Sequence, residues 1–150
     1  MRARSFRASV PELSATSREL LATARTAHLA TSDQYARPHV VPIVFVWRDP
    51  LLYTPLDRKP KREDDWHALR RVRNIETNGR VAVVIDRYDE EWSRLAWVLL
   101  EGVATILESG EERDTAARWL REKYAQYESV SLEGRPVVRV DVERGVEWPS

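Results

Sequence analysis

The sequence predicts a mainly β protein with helices (α+β class), in which six antiparallel strands form a small barrel. Three observations support this prediction. Apolar, β-branched segments follow one another with short connections, which is typical of antiparallel pairing. The longest of them, residues 95–107, contains Gly102 near its middle, where a bulge or sharp bend is expected. A G-x-G-x-x-G motif within β-α alternation is missing, which argues against a doubly wound dinucleotide-binding sheet.

The elements are predicted in the order helix, three strands, helix, two strands, helix, strand. Residues 1–13 are predicted to form a flexible arm, and residues 14–150 a single domain, which is large enough to bury its own core. The first three strands are expected to form a meander because their connections are short. The strands are predicted at residues 28–33, 38–47, 51–54, 80–86, 95–107 and 138–142.

Each helix has its own signal. Residues 16–19 (TSRE) and 109–112 (SGEE) match the capping-box pattern, so the first and third helices are predicted to begin there. Trp66, Leu69 and Val72 recur every three residues, which predicts a helix running from residue 64 to a stop at residues 78–79. Its polar side is expected to carry Arg70, Arg71 and Asn74.

Composition excludes several classes of function. The 24 Lys and Arg residues balance 24 Asp and Glu residues, so no global charge attracts nucleic acid or membrane, and neither is expected as a partner. The chain has no cysteine, and His28, His39 and His67 are not spaced as metal ligands. The basic N-terminus lacks the apolar stretch of a signal peptide, so a cytoplasmic protein is the default expectation.

The region with the most functional information is residues 51–74, where a short strand leads into a basic loop and a helix. Between Arg58 and Arg73 there are seven Lys or Arg residues against three acids. Cations on a loop and on the helix that follows can form a pocket for phosphate or carboxylate. A solvated charged face is the alternative interpretation of the same pattern.

Three segments together resemble the pyridoxamine 5′-phosphate oxidase-like split β-barrel family. They are residues 36–47 (ARPHVVPIVFVW), residues 51–88 (LLYTPLDRKPKR to LRRVRNIETNGRVAVVIDRY) and residues 90–98 (EEWSRLAWV). Within this family, the sequence is most similar to the branch of probable oxidoreductases that use the deazaflavin coenzyme F420. The resemblance implies an FMN-binding-like homodimer with two cofactor sites at the subunit interface. Hydride would pass at the cofactor ring, so no catalytic protein residue and no metal is expected.

The resemblance also implies a set of cofactor-binding residues. Lys59, Lys61 and Arg71 are alternatives for the phosphate ligand, and Lys61 together with Arg73 is preferred. Asn74 completes the family's Arg-Asn pair and would bond the backbone or the cofactor chain. The remaining implied residues are His39, Val41, Pro42 and Ile43 facing the ring, Tyr53 and Thr54 beside the phosphate, and Trp92, Arg94 and Trp97 from the partner subunit.

Several functions stay open at this point. The leading hypothesis is a reductase that passes hydride from reduced F420 to a small conjugated acceptor. The surplus of cations suits F420 because its oligoglutamate tail adds negative charge beyond the phosphate, although exposed charges contribute little each. The alternatives are an FMN-dependent oxidase or reductase of the same fold and a non-catalytic flavin- or haem-binding protein.

Overall fold

The computed structural model of the chain describes residues 13–57 and 65–149. Within these ranges the helices are α1 (Ala15–Thr23), α2 (Arg70–Thr77) and α3 (Glu111–Lys123), and none of them is long and apolar enough to cross a bilayer. Short 3₁₀ turns cover Trp66–Ala68, Trp92–Arg94 and Ala125–Glu128. The strands are β1 (Ala27–Ser32), β2 (Pro38–Ile43), β3 (Val46–Arg48), β4 (Leu51–Pro55), β5 (Arg80–Arg87), β6 (Ala96–Leu107) and β7 (Val137–Trp148).

The strands form one curled antiparallel sheet in the order β2-β1-β5-β6-β7-β4-β3. The predicted class, mainly β with helices and antiparallel pairing, is confirmed. The predicted count of six strands is wrong, because the described residues form seven. The predicted meander of the first three strands is also wrong, since the β1–β2 and β3–β4 hairpins lie at opposite ends of the sheet.

The extra strand arises because residues 38–47 do not form one continuous strand. The segment leaves the sheet after Ile43 and re-enters it at Val46. Between them lies Phe45, which is fully buried. Its backbone N–H donates to the Tyr124 hydroxyl at 3.0 Å, and its carbonyl accepts from Lys123 Nζ at 3.0 Å. Side chains at the end of α3 therefore satisfy polar groups that a strand partner would otherwise take.

The helix starts differ from the predicted capping boxes. The cap of α1 is Ser14, whose hydroxyl accepts from the backbone N–H of Ser17 at 3.2 Å, two residues earlier than predicted. Helix α3 begins after Gly110 with no side-chain cap, and Gly110 takes a φ of 104°, which glycine adopts without strain. Leu13, the last residue of the predicted arm, is buried in the core, whereas residues 1–12 lie outside the described residues.

The middle helix is also shorter than predicted. A 3₁₀ turn comes first, and the Asp65 carboxylate caps it by accepting the His67 N–H at 3.0 Å. Helix α2 proper starts only at Arg70. It ends at Asn78, whose N–H bonds to the Asn74 carbonyl at 2.7 Å. The stop at residues 78–79 is confirmed, but Gly79 does not take the left-handed conformation expected of a glycine that ends a helix.

The bend predicted at Gly102 is confirmed as a β-bulge. The register between β6 and β7 shifts between Glu101 and Gly102. A Cβ atom at Gly102 would collide with the backbone of Asp141 and Val142 on β7. The missing side chain therefore lets two backbones approach at the point where the sheet curls.

The core has two parts, one on each side of the sheet. The larger part packs α1 and α2 against the sheet and includes Leu21, Leu29, Val72, Ile85 and Leu100, each fully buried. The smaller part packs α3 onto β3, β4 and β7. Its members include Val46, Tyr53, Leu120, Tyr124 and Val137.

Candidate functional site

The anchor of the candidate site is a buried hydrogen bond between α2 and β1. Asn74 Nδ2 donates to Thr31 Oγ1 at 3.0 Å, and both residues are buried. The prediction that Asn74 lies on the polar side of the helix is therefore wrong. Because buried amides need partners, this bond fixes the rotation of α2 against the sheet. It thereby also determines where the helix presents Arg73.

A cleft of about 380 Å³ lies between α2 and the β1–β2 turn. Arg73 and Asn74 line it, so the structure brings these two predicted residues together. Arg70 also lines it, and neither Arg70 nor Arg73 forms an ion pair with another described residue. Both guanidinium groups are therefore available to an anionic ligand.

The β1–β2 turn supplies the opposite wall, which no sequence pattern had assigned to the site. The Asp33 carboxylate accepts the backbone N–H groups of Tyr35 at 2.8 Å and Arg37 at 3.0 Å. It also pairs with the Arg37 side chain at 2.6 Å. The backbone bond from Arg37 lowers the pKa of Asp33 despite some desolvation. The Asp-x-Tyr-x-Arg spacing is the sequence signal that could have indicated this turn.

Arg71 has a different environment from its neighbours. Its side chain is half-buried, and Nε is buried without a hydrogen-bond partner among the described residues. Burial lowers the pKa of Arg71, and the Asp57 carboxylate opposes this effect. Asp57 in turn accepts the Tyr127 hydroxyl at 2.8 Å. A half-buried guanidinium with an unused donor favours a site for an anionic oxygen.

The predicted residues of β2 divide between the two faces of its strand. His39, Val41 and Ile43 pair with Thr31, Leu29 and Ala27, which are all buried, so these three lie on the inner face. Pro42 pairs with the exposed His28 and lies on the outer face. His39 Nδ1 is buried and has no partner among the described residues.

Tyr53 and Thr54 do not line the cleft beside α2. The Tyr53 hydroxyl donates to Glu112 Oε2 on α3 at 2.7 Å, and its ring centroid lies 5.8 Å from that of Trp119. Burial, followed by the hydrogen bond to Glu112, raises the pKa of the Tyr53 phenol. Thr54 is 2% exposed and pairs with Val138.

The three residues predicted for the partner-side wall cluster at one end of the β5–β6 hairpin. Trp92 is 77% exposed, which is unusual for so large an apolar side chain. Arg94 pairs with Glu91 at 3.3 Å. Trp97 pairs with Trp148 on the outer face of the sheet. Lys59 and Lys61 lie outside the described residues.

Among the described residues, no group of three or more His, Asp or Glu side chains could hold a metal ion. Arg70 and Arg73 give the cleft guanidinium groups that can bind an anion. The sequence profile described as pyridoxamine 5′-phosphate oxidase matches residues 13–149. The chain belongs to this family.

Solved structures confirm the fold of the family. The haem storage protein HutZ from Vibrio cholerae superposes with a TM-score of 0.68 at 20% identity, over 87% of this chain and 89% of that chain. A FAD-binding protein from Mesorhizobium loti superposes with a TM-score of 0.65 at 22% identity, over 90% of this chain and 94% of that chain. A conserved hypothetical protein, Rv2991 from Mycobacterium tuberculosis, superposes with a TM-score of 0.72 at 21% identity, over 95% of this chain and 88% of that chain. No curated protein sequence matches the chain.

Proposed function

We propose that this protein is an F420-dependent oxidoreductase that transfers hydride from the reduced deazaflavin to a small conjugated acceptor. The observation that supports this function is the group of three arginines in the first turn of α2, two of which, Arg70 and Arg73, line the cleft. Arg70, Arg71 and Arg73 lie within one turn of the helix, and none of them has a carboxylate in ion-pair contact among the described residues. Three guanidinium groups so arranged suit a ligand with several negative charges.

F420 fits this arrangement because it carries a phosphodiester and an oligoglutamate tail on a ring-plus-ribityl plan. In the proposed complex, Arg73 binds the phosphate together with Lys61 of the basic segment. Arg70 is free to contact the carboxylates beyond it, since it lines the same cleft as Arg73. Asn74 holds α2 in place through Thr31 and does not need to contact the cofactor.

The cofactor supplies the hydride chemistry when bound, and the chain's own residues bind and orient it. The backbone of β2 around Pro42 offers donors and acceptors for the pyrimidine edge of the ring. Pro42 itself has no N–H, which is tolerated because β2 is an edge strand of the sheet. The inner-face residues His39, Val41 and Ile43 support this strand from behind.

The second candidate is an FMN-dependent enzyme, or a non-catalytic flavin- or haem-binding protein, on the same fold. One of the similar structures is described as FAD-binding and another as a haem storage protein. FMN shares the ring and phosphate but lacks the tail, so it would leave Arg70 without a ligand group. This difference favours F420 over FMN. For haem, His39 is the candidate ligand, since its Nδ1 has no partner among the described residues.

The proposed enzyme is a homodimer. Val84, Leu99 and Val146 are cross-strand neighbours on the outer face of the sheet, and each is only half-buried in the single chain. Trp97 and Trp148 continue this apolar row. A second subunit covering the row would bury it and bring Trp92 and Arg94 toward the other subunit's cofactor site. Light scattering tests this: a monomer with full cofactor affinity would overturn the shared site.

A side-by-side titration tests the function. The purified protein is titrated with F420, FMN, FAD and haemin, following ligand fluorescence, tryptophan quenching and the haem absorption band. The expected result is micromolar or tighter binding of F420, with FMN at least tenfold weaker because the tail contacts are lost. A preference for FMN or FAD would assign the protein to the flavin branch. A haem band without flavin binding would assign it to the haem-binding branch.

A further inference from the structure

A second group of cations lies where the end of α3 meets β3, and none of its members lines the cleft beside α2. Lys123 and Arg48 line a separate cleft of about 270 Å³, together with Trp47 and Trp119. Arg25 stands next to them, since its guanidinium carbon lies 4.5 Å from the ring centroid of Tyr124 and Lys123 Nζ lies 5.3 Å from the same centroid.

The three cations lack carboxylate partners among the described residues. The acid that lines the cleft is Glu122, which is largely exposed. Its Oε1 lies 3.8 Å from Nε of Arg118. Burial, and then the charges of Arg25 and Arg48, lower the pKa of Lys123 to about 8. Like charges gathered around a half-buried amine cost stability unless an anion offsets them.

The donors of this cleft are already oriented. Lys123 Nζ donates one N–H to the Phe45 carbonyl at 3.0 Å and lies 3.9 Å from the Phe45 ring centroid, so one part of the ammonium group is already held in place. The guanidinium of Arg48 lies 4.6 Å from the ring centroid of Trp119 and bonds to the Trp47 carbonyl at 3.0 Å. An arginine stacked on an indole offers both a fork for a carboxylate and a flat surface for an aromatic ring.

We infer that this cleft is a binding site for a small aromatic carboxylate, held by Lys123 and Arg48 against Trp119. Its volume of about 270 Å³ lies below the usual range for drug-sized ligands, so it suits a ligand of one or two rings. The site is independent of the proposed cofactor site, because the two clefts share no lining residue. Its occupation does not require F420 or any flavin.

The test uses 2-naphthoate as the probe and 2-naphthalenemethanol as its neutral counterpart. Binding is followed by calorimetry and by the indole N–H signal of Trp119 in ¹⁵N-labelled protein without added cofactor. The expected result is saturable binding of the carboxylate with a shift of the Trp119 signal, and at least tenfold weaker binding of the alcohol. Absence of a Trp119 shift, or equal binding of both probes, would overturn the inference.

Matched variants locate the charge. Arg48→Gln and Lys123→Gln are each expected to weaken binding of 2-naphthoate by tenfold or more. Arg121→Gln removes the same charge from an exposed position of α3 that does not line the cleft, and should leave the affinity unchanged. Arg48 is exposed, so its variant tests the site even if Lys123→Gln unfolds. Equal losses in all three variants would show only a general charge effect and would overturn the site.

A second readout separates a ligand contact from a packing role. A carboxylate bound next to Lys123 should raise the pKa of the Lys123 amine, which is measured from the ¹³Cε signal. The expected rise is about one pKa unit for each tenfold preference of the ligand for the charged amine over the neutral amine. Arg25 and Arg48 are the charged groups that act on this amine, and Glu122 lines the same cleft. An unchanged titration of Lys123 at saturation would contradict direct contact.

Discussion

Asn74 Nδ2 donates a hydrogen bond to Thr31 Oγ1 at 3.0 Å, and this bond joins α2 to β1 inside the core. The residues come from positions 43 apart in the chain. Because Arg73 immediately precedes Asn74, the bond also determines how the cleft-lining guanidinium is presented. A buried structural amide and an exposed cation that is proposed to bind the ligand are thus adjacent in sequence, and both line the cleft.

Replacing Thr31 with valine tests this anchor. Thr31→Val keeps the shape but leaves the Asn74 amide without its partner, so the free energy of unfolding should fall by about 1–3 kcal/mol. Urea denaturation measures the loss. Thr105→Val, at an exposed position of β6, should change stability by no more than about 0.5 kcal/mol. Equal effects of the two variants would show that the buried bond contributes nothing of its own.

The proposed phosphate ligands can be tested by alanine substitution. Lys61→Ala and Arg73→Ala should each weaken cofactor binding by about 1–3 kcal/mol, as expected for loss of a charged hydrogen bond. Fluorescence titration with F420 measures the change. Arg121→Ala removes an exposed cation of α3 and serves as the control. Parental affinity in both Lys61→Ala and Arg73→Ala would remove these residues from the phosphate site.

The bulge at Gly102 should not tolerate a side chain. Gly102→Ala places a methyl group into the backbone of β7, so we expect a loss of at least about 2 kcal/mol in the free energy of unfolding. Gly79→Ala is the matched control, since its Cβ would meet Val103 Cγ1 at 3.3 Å, which a small side-chain shift relieves. Thermal unfolding of both variants separates the two cases. A Gly102→Ala protein as stable as Gly79→Ala would mean that the strands can move apart at the bulge.

The Tyr53→Phe variant tests whether the Tyr53 hydroxyl has a structural or a ligand-binding role. Glu112 accepts both this hydroxyl at 2.7 Å and Arg139 Nη1 at 2.6 Å, so Tyr53→Phe removes one of two bonds that tie α3 to the sheet. We expect a loss of about 0.5–1.5 kcal/mol in stability, with cofactor affinity retained. Tyr88→Phe, at an exposed site, should change neither quantity. A stable Tyr53→Phe protein that binds F420 poorly would instead place Tyr53 beside the cofactor.

Lys123 should make stability rise with pH in the alkaline range. Its pKa is about 8 in the folded protein against an ordinary value of 10.5, so the unfolded chain holds the proton more tightly. Below about pH 8 the Lys123 amine is protonated in both the folded and the unfolded state, and the full cost of holding its charge in the folded protein applies. Between about pH 8 and pH 10.5 the folded state loses its proton first, so this cost disappears. Relative to Lys123→Met, the parent should therefore gain stability over this window in urea denaturation. A constant difference between the two proteins would contradict the lowered pKa.

Local patterns predicted much of this protein. The long strand around Gly102, the strand at residues 80–86 and the stop of α2 at residues 78–79 follow from strand periodicity, glycine at a bulge and the Asn-Gly pair, which are all properties of neighbouring residues. The basic stretch and the Arg-Asn pair also indicated the family to which the chain belongs. Arg73 in the cleft was predicted from the same residues.

Long-range contacts account for what was missed. Ser14 caps α1 where no capping box stands, and its N–H and hydroxyl both donate to Glu147, which lies 133 residues away. Asn74 looks like a polar-side residue on a helical wheel, yet Thr31 gives its amide a buried partner. Neither partner is recognisable from the local sequence, because hydrogen-bonding groups are paired by the folded sheet and not by spacing along the chain.

By itself, the sequence determined the β-rich class, the bulge, the family and the cation-rich stretch that is proposed to bind the cofactor. The tertiary structure alone decided that residues 38–47 divide into two strands on opposite ends of one sheet. Pro38 and Pro42 predict an edge, a bulge or an interrupted pairing in this apolar run, but nothing local places the break at Phe45. It occurs at Phe45 because Tyr124 and Lys123, brought there by α3, satisfy the backbone groups that leave the ladder.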